Sequence, residues 1–171
     1  MRLKFYVYYA CLTKKEFLSL LRQRKEFLCM KRIVKYDNRC YDVLVEIWER
    51  AVRTTHYFLT EDVIEEIRCA LATDYFPAVD LYVVEDDGTP AGFIGLAGDS
   101  IEMLFVDSRL HGRGYGSTLV EFALKHGAVR VDVNEQNRSA FEFYEKRGFR
   151  VVGRDATDEA GRPYPILHLS L

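Results

Sequence analysis

The stretch IEMLFVDSRLHGRGYGSTLVEFALK, residues 101–125, decides the fold. It begins as an apolar strand over residues 101–106. It then empties through Gly112, Gly114 and Gly116 into a segment whose Leu119, Val120, Phe122, Ala123 and Leu124 supply one helical face. A strand that passes through glycines into a helix N-terminus gathers unpaired backbone N–H groups and roughly half a positive charge at one point. Such a point binds anions, phosphate above all. Only a residue without a side chain lets the backbone approach a pyrophosphate closely and accept positive φ. Two familiar phosphate readers match poorly. Gly116-Ser117-Thr118 lacks the lysine that closes a P-loop, and Ser117 stands where a dinucleotide fingerprint starting at Gly112 needs its last glycine. A tight turn without a ligand is the competing reading of the same glycines.

Working outward, residues 129–133 read as the next strand, so this strand, helix and strand form a parallel pair with a right-handed crossover. Upstream, residues 81–85 and 91–97 are apolar runs separated by Asp86-Asp87-Gly88-Thr89, which is hairpin chemistry. From Asp37 the period becomes helical, with Cys40, Leu44, Ile47, Trp48 and Ala51 on one face. A second helix is predicted after Thr60, an N-cap candidate, with Val63, Ile64, Ile67 and Leu71 aligned. Residues following Met30 look like a first strand, and a last helix and two strands close the chain. The sheet is therefore mixed, with helices on both faces, in the α/β class.

A chain of 171 residues is one domain by length. With 49% hydrophobic, 29% charged and 13% aromatic residues, disorder and low complexity are excluded. No run of about 18 apolar residues exists to span a bilayer. Cys11, Cys29, Cys40 and Cys69 form no C-x-x-C pair and stand near no His at ligand spacing, so no metal is expected, and a reducing cytoplasmic setting is. The net charge of −2 hides an asymmetry, because residues 1–29 carry seven Lys or Arg against two Glu. The acidic remainder disfavours nucleic acid as a partner and favours a cationic amine. Residues 1–29 read as a basic amphipathic extension with a capping box at Thr13 and Glu16, and Met30 is a candidate natural start. Packing on its own domain is the leading reading of this extension, ahead of membrane or partner contact.

Asn137 opens a second helical pattern that ends at Gly148, with Asn137, Phe141 and Tyr144 at i, i+4 and i+7 on one face. At about 1.5 Å per residue, Asn137 and Tyr144 stand roughly 10 Å apart, within reach of one extended ligand.

With His111-Gly112-Arg113-Gly114-Tyr115-Gly116 read as a Gln/Arg-x-x-Gly-x-Gly/Ala loop, the sequence resembles the GNAT superfamily of acetyl-CoA-dependent acyltransferases. His111 stands where that family carries Gln or Arg. Thr55-His56 with Phe58-Leu59, the run Asn134 to Asn137 and Gly161-x-Pro163-Tyr164-Pro165 look like the bacterial YjaB-type acetyltransferases. The likeness covers residues 30–171 and implies a central mixed sheet of about seven strands.

The resemblance implies an N-acetyltransferase that moves an acetyl group directly from acetyl-CoA to a primary amine of a small molecule or peptide. A non-catalytic acyl-CoA sensor of the same fold is the alternative. The cofactor residues implied are Leu104, Phe105 and Val106 through their main chain, the loop His111, Gly112, Arg113, Gly114, Tyr115, Gly116 and Ser117, and Asn137 and Tyr144 on the pantetheine arm. Tyr144 is the implied acid toward the leaving thiolate. The proton of the incoming amine has several candidate acceptors: Glu102, Asp132, His56 and a water chain. His56, Phe58 and Tyr164 are implied to line the acceptor site. A route through an acyl-cysteine is disfavoured, because no His or Asp partner is evident for any of the four cysteines. His126 and His168 are expected to serve structure.

Overall fold

The computed structural model describes residues 31–37 and 40–171. The predicted capping box, Cys11 and Cys29 lie outside the described residues. In chain order the elements are β1 (Arg32–Lys35), α1 (Asp42–Thr55), α2 (Glu61–Ala70), β2 (Asp80–Asp86), β3 (Thr89–Ala97), β4 (Ser100–Val106), α3 (Tyr115–Lys125), β5 (Arg130–Asn134), α4 (Arg138–Glu145), β6 (Arg150–Asp155) and β7 (Ile166–Ser170). Among the described residues no helix is long and apolar enough to cross a membrane.

The strands form one sheet in the order β1-β2-β3-β4-β5-β7-β6. The β2–β3 hairpin turns at Asp87 and Gly88, both at positive φ (50° and 77°), the pairing whose twist suits a two-residue hairpin loop. Alternation along the strands then splits the core in two. Leu81, Val83 and Phe93 pack with Leu44, Ile47, Trp48 and Ile64 of α1 and α2. Val84 and Ile94 face the other way, against Leu119, Val120 and Ala123 of α3 and Tyr144 of α4. Each fully buried side chain of this size contributes about 1.5–3 kcal/mol.

Two details differ from the sequence reading. The first helix starts at Asp42 rather than near Asp37, and Cys40 is exposed outside it. The Tyr36 hydroxyl donates to the Cys40 carbonyl at 2.6 Å, so Cys40 is engaged with the end of the first strand and not with the helix that periodicity alone continued through it. Leu71 leaves α2 and enters a wide turn, Leu71–Tyr75, followed by a short helical turn containing Pro77. Proline cannot continue an α-helical ladder.

The feature that makes room for a site is the single parallel pair. β4 and β5 pair only at Ser100 with Arg130 and Ile101 with Val131. Beyond those residues β4 stays with β3 up to Val106 and β5 stays with β7 up to Asn134, so the sheet parts. Glu102 sits where the parting begins. The β3–β4 register passes from Gly95–Met103 to Leu96–Ile101 and leaves Glu102 without an opposite residue. Bulges of this kind re-aim a side chain.

Asp107 locks the end of β4. It is 1% exposed. Its carboxylate accepts from Arg50 Nη2 of α1 at 2.9 Å and from the Arg109 side chain and backbone N–H. Arg109 first, then Arg50, hold its carboxyl well below the usual carboxylate range. Stability from this group is therefore complete above about pH 4, the ordinary carboxylate value, and drains away as pH falls toward the lowered native pKa. Chemical denaturation should show Asp107→Ala to be less stable at pH 7 by about 2–3 kcal/mol. The gap between wild type and variant should narrow on acidification below pH 4. An unchanged gap would contradict this assignment.

Candidate functional site

Two cavities meet where β4 and β5 part. The larger, about 490 Å³, runs from the glycine loop along β4 to α4 and is lined among others by Leu104, Val106, Gly114, Ser117, Asn137 and Tyr144. The smaller, about 130 Å³, lies within the opening itself and is lined by Glu102, Met103, Asp132, Val133 and Asn134. His56, Leu104, Phe105, Asn137, Ala140 and Tyr144 border both. A ligand in one can thus meet a ligand in the other across a shared wall.

The glycine loop has the geometry its chemistry asks for. Gly112 and Gly114 take φ of 74° and 81°. Gly114 is the N-cap of α3 and has no side chain to satisfy the first-turn amides. A Cβ on Gly116 would stand 3.3 Å from the Phe143 ring, so the wall is close-packed there as well. Tyr115 turns its ring into the core and is 1% exposed, anchoring the first turn of α3. His111 lines the larger cavity, and its Nε2 lies 3.1 Å from the Val106 carbonyl.

Arg113 departs from the sequence reading. It is exposed and does not line the cavity. Its carbonyl instead accepts from Lys31 Nζ at 2.6 Å, and that ammonium lies 4.8 Å over the Tyr115 ring. The cation at the loop is therefore one from the start of the sheet. Arg147 is a second residue that the sequence did not single out. Its guanidinium stacks 3.5 Å from the centre of the Phe143 ring, donates to Ser117 Oγ at 2.6 Å and lines the larger cavity. Its position three residues after Tyr144 was a usable signal, whereas nothing local marks Lys31.

Tyr144 is 5% exposed, and Phe143 and Phe149 lie edge-on to its ring. Burial raises its pKa above the ordinary phenol value, so the hydroxyl keeps its proton. Asn137 caps α4, with Oδ1 accepting from the Ala140 N–H at 3.1 Å and from Ser139 Oγ at 2.9 Å. Burial pushes the His56 imidazole down to about 4, so it is neutral at physiological pH.

The two candidate carboxylates differ sharply. Asp132 Oδ1 lies 2.8 Å from His168 Nδ1, and Asp155 Oδ2 lies 3.1 Å from His168 Nε2. Those two carboxylates raise the pKa of His168 and so favour its cationic form. Glu102 is exposed at the bulge, lines the smaller cavity and has no hydrogen-bond or ion-pair partner among the described residues. Phe58 and Tyr164, read as acceptor-site residues, border neither cavity. Their rings lie 5.8 Å apart, and Phe58 lies 5.4 Å from His56, forming an aromatic strip beside the opening. Cys40 and Cys69 line neither cavity.

Known proteins resemble this chain in sequence and in fold. Residues 77–151 match the model of the acetyltransferase (GNAT) domain. The peptidyl-lysine N-acetyltransferase YjaB of Salmonella typhimurium is 42% identical over 128 residues, which cover 74% of this chain and 88% of that relative. The peptidyl-lysine N-acetyltransferase YiaC of Escherichia coli is 25% identical over 126 residues, covering 72% of this chain and 86% of the other. The solution structure of apo YjaB from Escherichia coli superposes with a TM-score of 0.75 at 37% identity, covering 82% of this chain and 97% of that one. The chain belongs to the GNAT family of acetyltransferases.

Proposed function

We propose that this acetyltransferase moves the acetyl group of acetyl-CoA directly onto the side-chain amine of a peptide lysine, with both substrates bound together. The observation that carries the proposal is the junction of the two cavities at Tyr144 and Asn137, one cavity ending on the glycine loop and the other opening beside Glu102. Two curated relatives carry the name peptidyl-lysine N-acetyltransferase, which supports lysine over other amines. Family membership also favours catalysis over the sensor reading.

The residues fit coenzyme A. Backbone at positive φ, uncapped by a side chain, suits a pyrophosphate at the head of α3, and Lys31 and Arg147 add positive charge on either side of it. The bound co-substrate supplies an activated thioester. Asn137 offers an amide N–H along the same wall, which residues 104–106 also line. The Tyr144 hydroxyl gives its proton to the departing sulfur, whose free thiol pKa near 8.5 makes this help modest. A lysine amine has a pKa near 10.4 and arrives mostly protonated at pH 7. Glu102 takes that proton, freeing the nitrogen lone pair to bond to the acetyl carbon as the carbon–sulfur bond breaks; the acylated nitrogen then sheds its second proton to water, and water returns a proton to Tyr144, so that the phenol is restored. Asp132, on the same cavity, is engaged by His168 instead.

Positioning outweighs proton transfer here, since effective molarities reach about 10⁵–10⁸ M while a placed acid or base contributes about 10²–10⁴-fold. A thiol-release assay with a lysine peptide should therefore show Tyr144→Phe slowed by about 10²-fold yet active. Gly114→Val should show no coenzyme A binding, because valine is strained at φ 81°. Equal rates for wild type and Gly114→Val would contradict the proposal.

The same assay separates the carboxylates. Glu102→Gln should lose about 10²-fold in kcat/KM at pH 7 and recover as pH approaches the amine pKa. Asp132→Asn should lose less than about tenfold. The reverse ranking would assign the proton to Asp132.

A further inference from the structure

His56 stands at the junction of the cavities, and its hydrogen bonds admit one arrangement of protons. Thr55 Oγ1 donates to the Ala51 carbonyl at 2.8 Å and lies 2.8 Å from His56 Nδ1. With its one proton spent on that carbonyl, which Thr54 Oγ1 also reaches at 2.8 Å, the hydroxyl accepts from the ring and Nδ1 carries the imidazole hydrogen; were the proton turned to Nδ1 instead, Nε2 would have to carry a hydrogen toward Asn137. Nε2 then presents a lone pair, and Asn137 Nδ2 donates to it across 3.3 Å.

The alternatives each place two donors face to face. The other tautomer would set an Nε2–H against the Asn137 NH2, and so would an imidazolium. Turning the Asn137 amide over would remove that clash only by aiming its NH2 at the Ala140 N–H, which Oδ1 now satisfies at 3.1 Å. Asn137 is 8% exposed, so an unmatched donor there has little water to relieve it.

Asn137 therefore has every polar atom committed except one amide hydrogen. Because the amide is planar and three of its bonds are fixed, the direction of that hydrogen is fixed too. We propose that His56 is a positioning residue: its neutral ring, braced by Thr55 on helix α1, orients the remaining Asn137 N–H toward a carbonyl of the pantetheine arm. His56 thereby joins the end of α1 to the start of α4 and is not the proton acceptor for the amine. The inference rests on the reading that the larger cavity takes coenzyme A.

Nitrogen-15 spectra of histidine-labelled full-length protein without ligand read the relay by itself. They should show His56 as the Nδ1–H tautomer with no titration from pH 5 to 9. An Nε2–H tautomer, or a titration inside that range, would overturn the proposal. Kinetics read the consequence. His56→Leu should raise the KM for acetyl-CoA about tenfold with kcat altered less than about threefold. His56→Gln, whose carbonyl can accept from Asn137, should restore KM to within about threefold of wild type. A Leu variant with unchanged KM, or one that loses about 10²-fold in kcat at unchanged KM, would contradict it, the second result marking His56 as a proton carrier. Should wild type fail to bind coenzyme A, the cofactor reading falls while the spectra still decide the relay.

Discussion

Among the described residues the two halves of the sheet pair at Ser100 with Arg130 and Ile101 with Val131, with the Asp99 carbonyl beside them accepting from Val129 and Arg130, and everything at the site depends on the pairing stopping there. Had β4 and β5 stayed paired, their carbonyl and N–H groups would have satisfied each other along the rest of their length. Their divergence leaves main chain of residues 102–106 facing open space and makes a wall that is neither core nor surface. The crossover through α3 is what allows it. A parallel pair needs a long connection, and here the connection re-enters the sheet from beneath the glycine loop, with Tyr115, Leu119, Val120 and Ala123 buried against Val84 and Ile94. The loop is thus mounted on the core while its amides remain open.

The buried polar side chains tell the same story. Among the described residues these are Asp107 and Asn137, and each stands at one end of the parted strands. Asp107 ties the end of β4 to Arg50 of α1, and Asn137 ties the start of α4 to His56 at the end of α1. A buried polar group costs stability unless it is partnered; the Asp107 carboxylate is partnered on both oxygens, while Asn137 keeps one amide hydrogen uncommitted. Helix α1 in this way makes contact with both ends of the parted strands.

Much of the fold could be read from local patterns. The Asp86-Asp87-Gly88-Thr89 turn, the glycines at 112, 114 and 116, and Asn137 ahead of a helix ending at Gly148 each act over a few residues, where propensity and capping rules apply. What could not be read depends on register between distant strands. The bulge at Glu102 arises from how β3 slides on β4. Lys31 reaches Arg113 across 82 positions. The commitment of Asp132 to His168 exists only because β5 and β7 lie side by side with those residues opposed. Sequence left Glu102, Asp132, His56 and a water chain as candidate acceptors for a proton, and the proposal for Glu102 draws on long-range geometry that no local pattern carries.

On the proposed reading, main chain at residues 112–116 grips the pyrophosphate of coenzyme A and so sets where the thioester lies. Titration calorimetry of the wild-type protein with coenzyme A, with pantetheine, which lacks the pyrophosphate and the nucleotide, and with adenosine, which lacks the pyrophosphate but keeps the nucleoside, tests it. Coenzyme A should bind at least about 10²-fold more tightly than pantetheine, a difference of roughly 2.7 kcal/mol, while adenosine alone binds too weakly to account for it. Equal affinity for coenzyme A and pantetheine, or no heat with either, would contradict it.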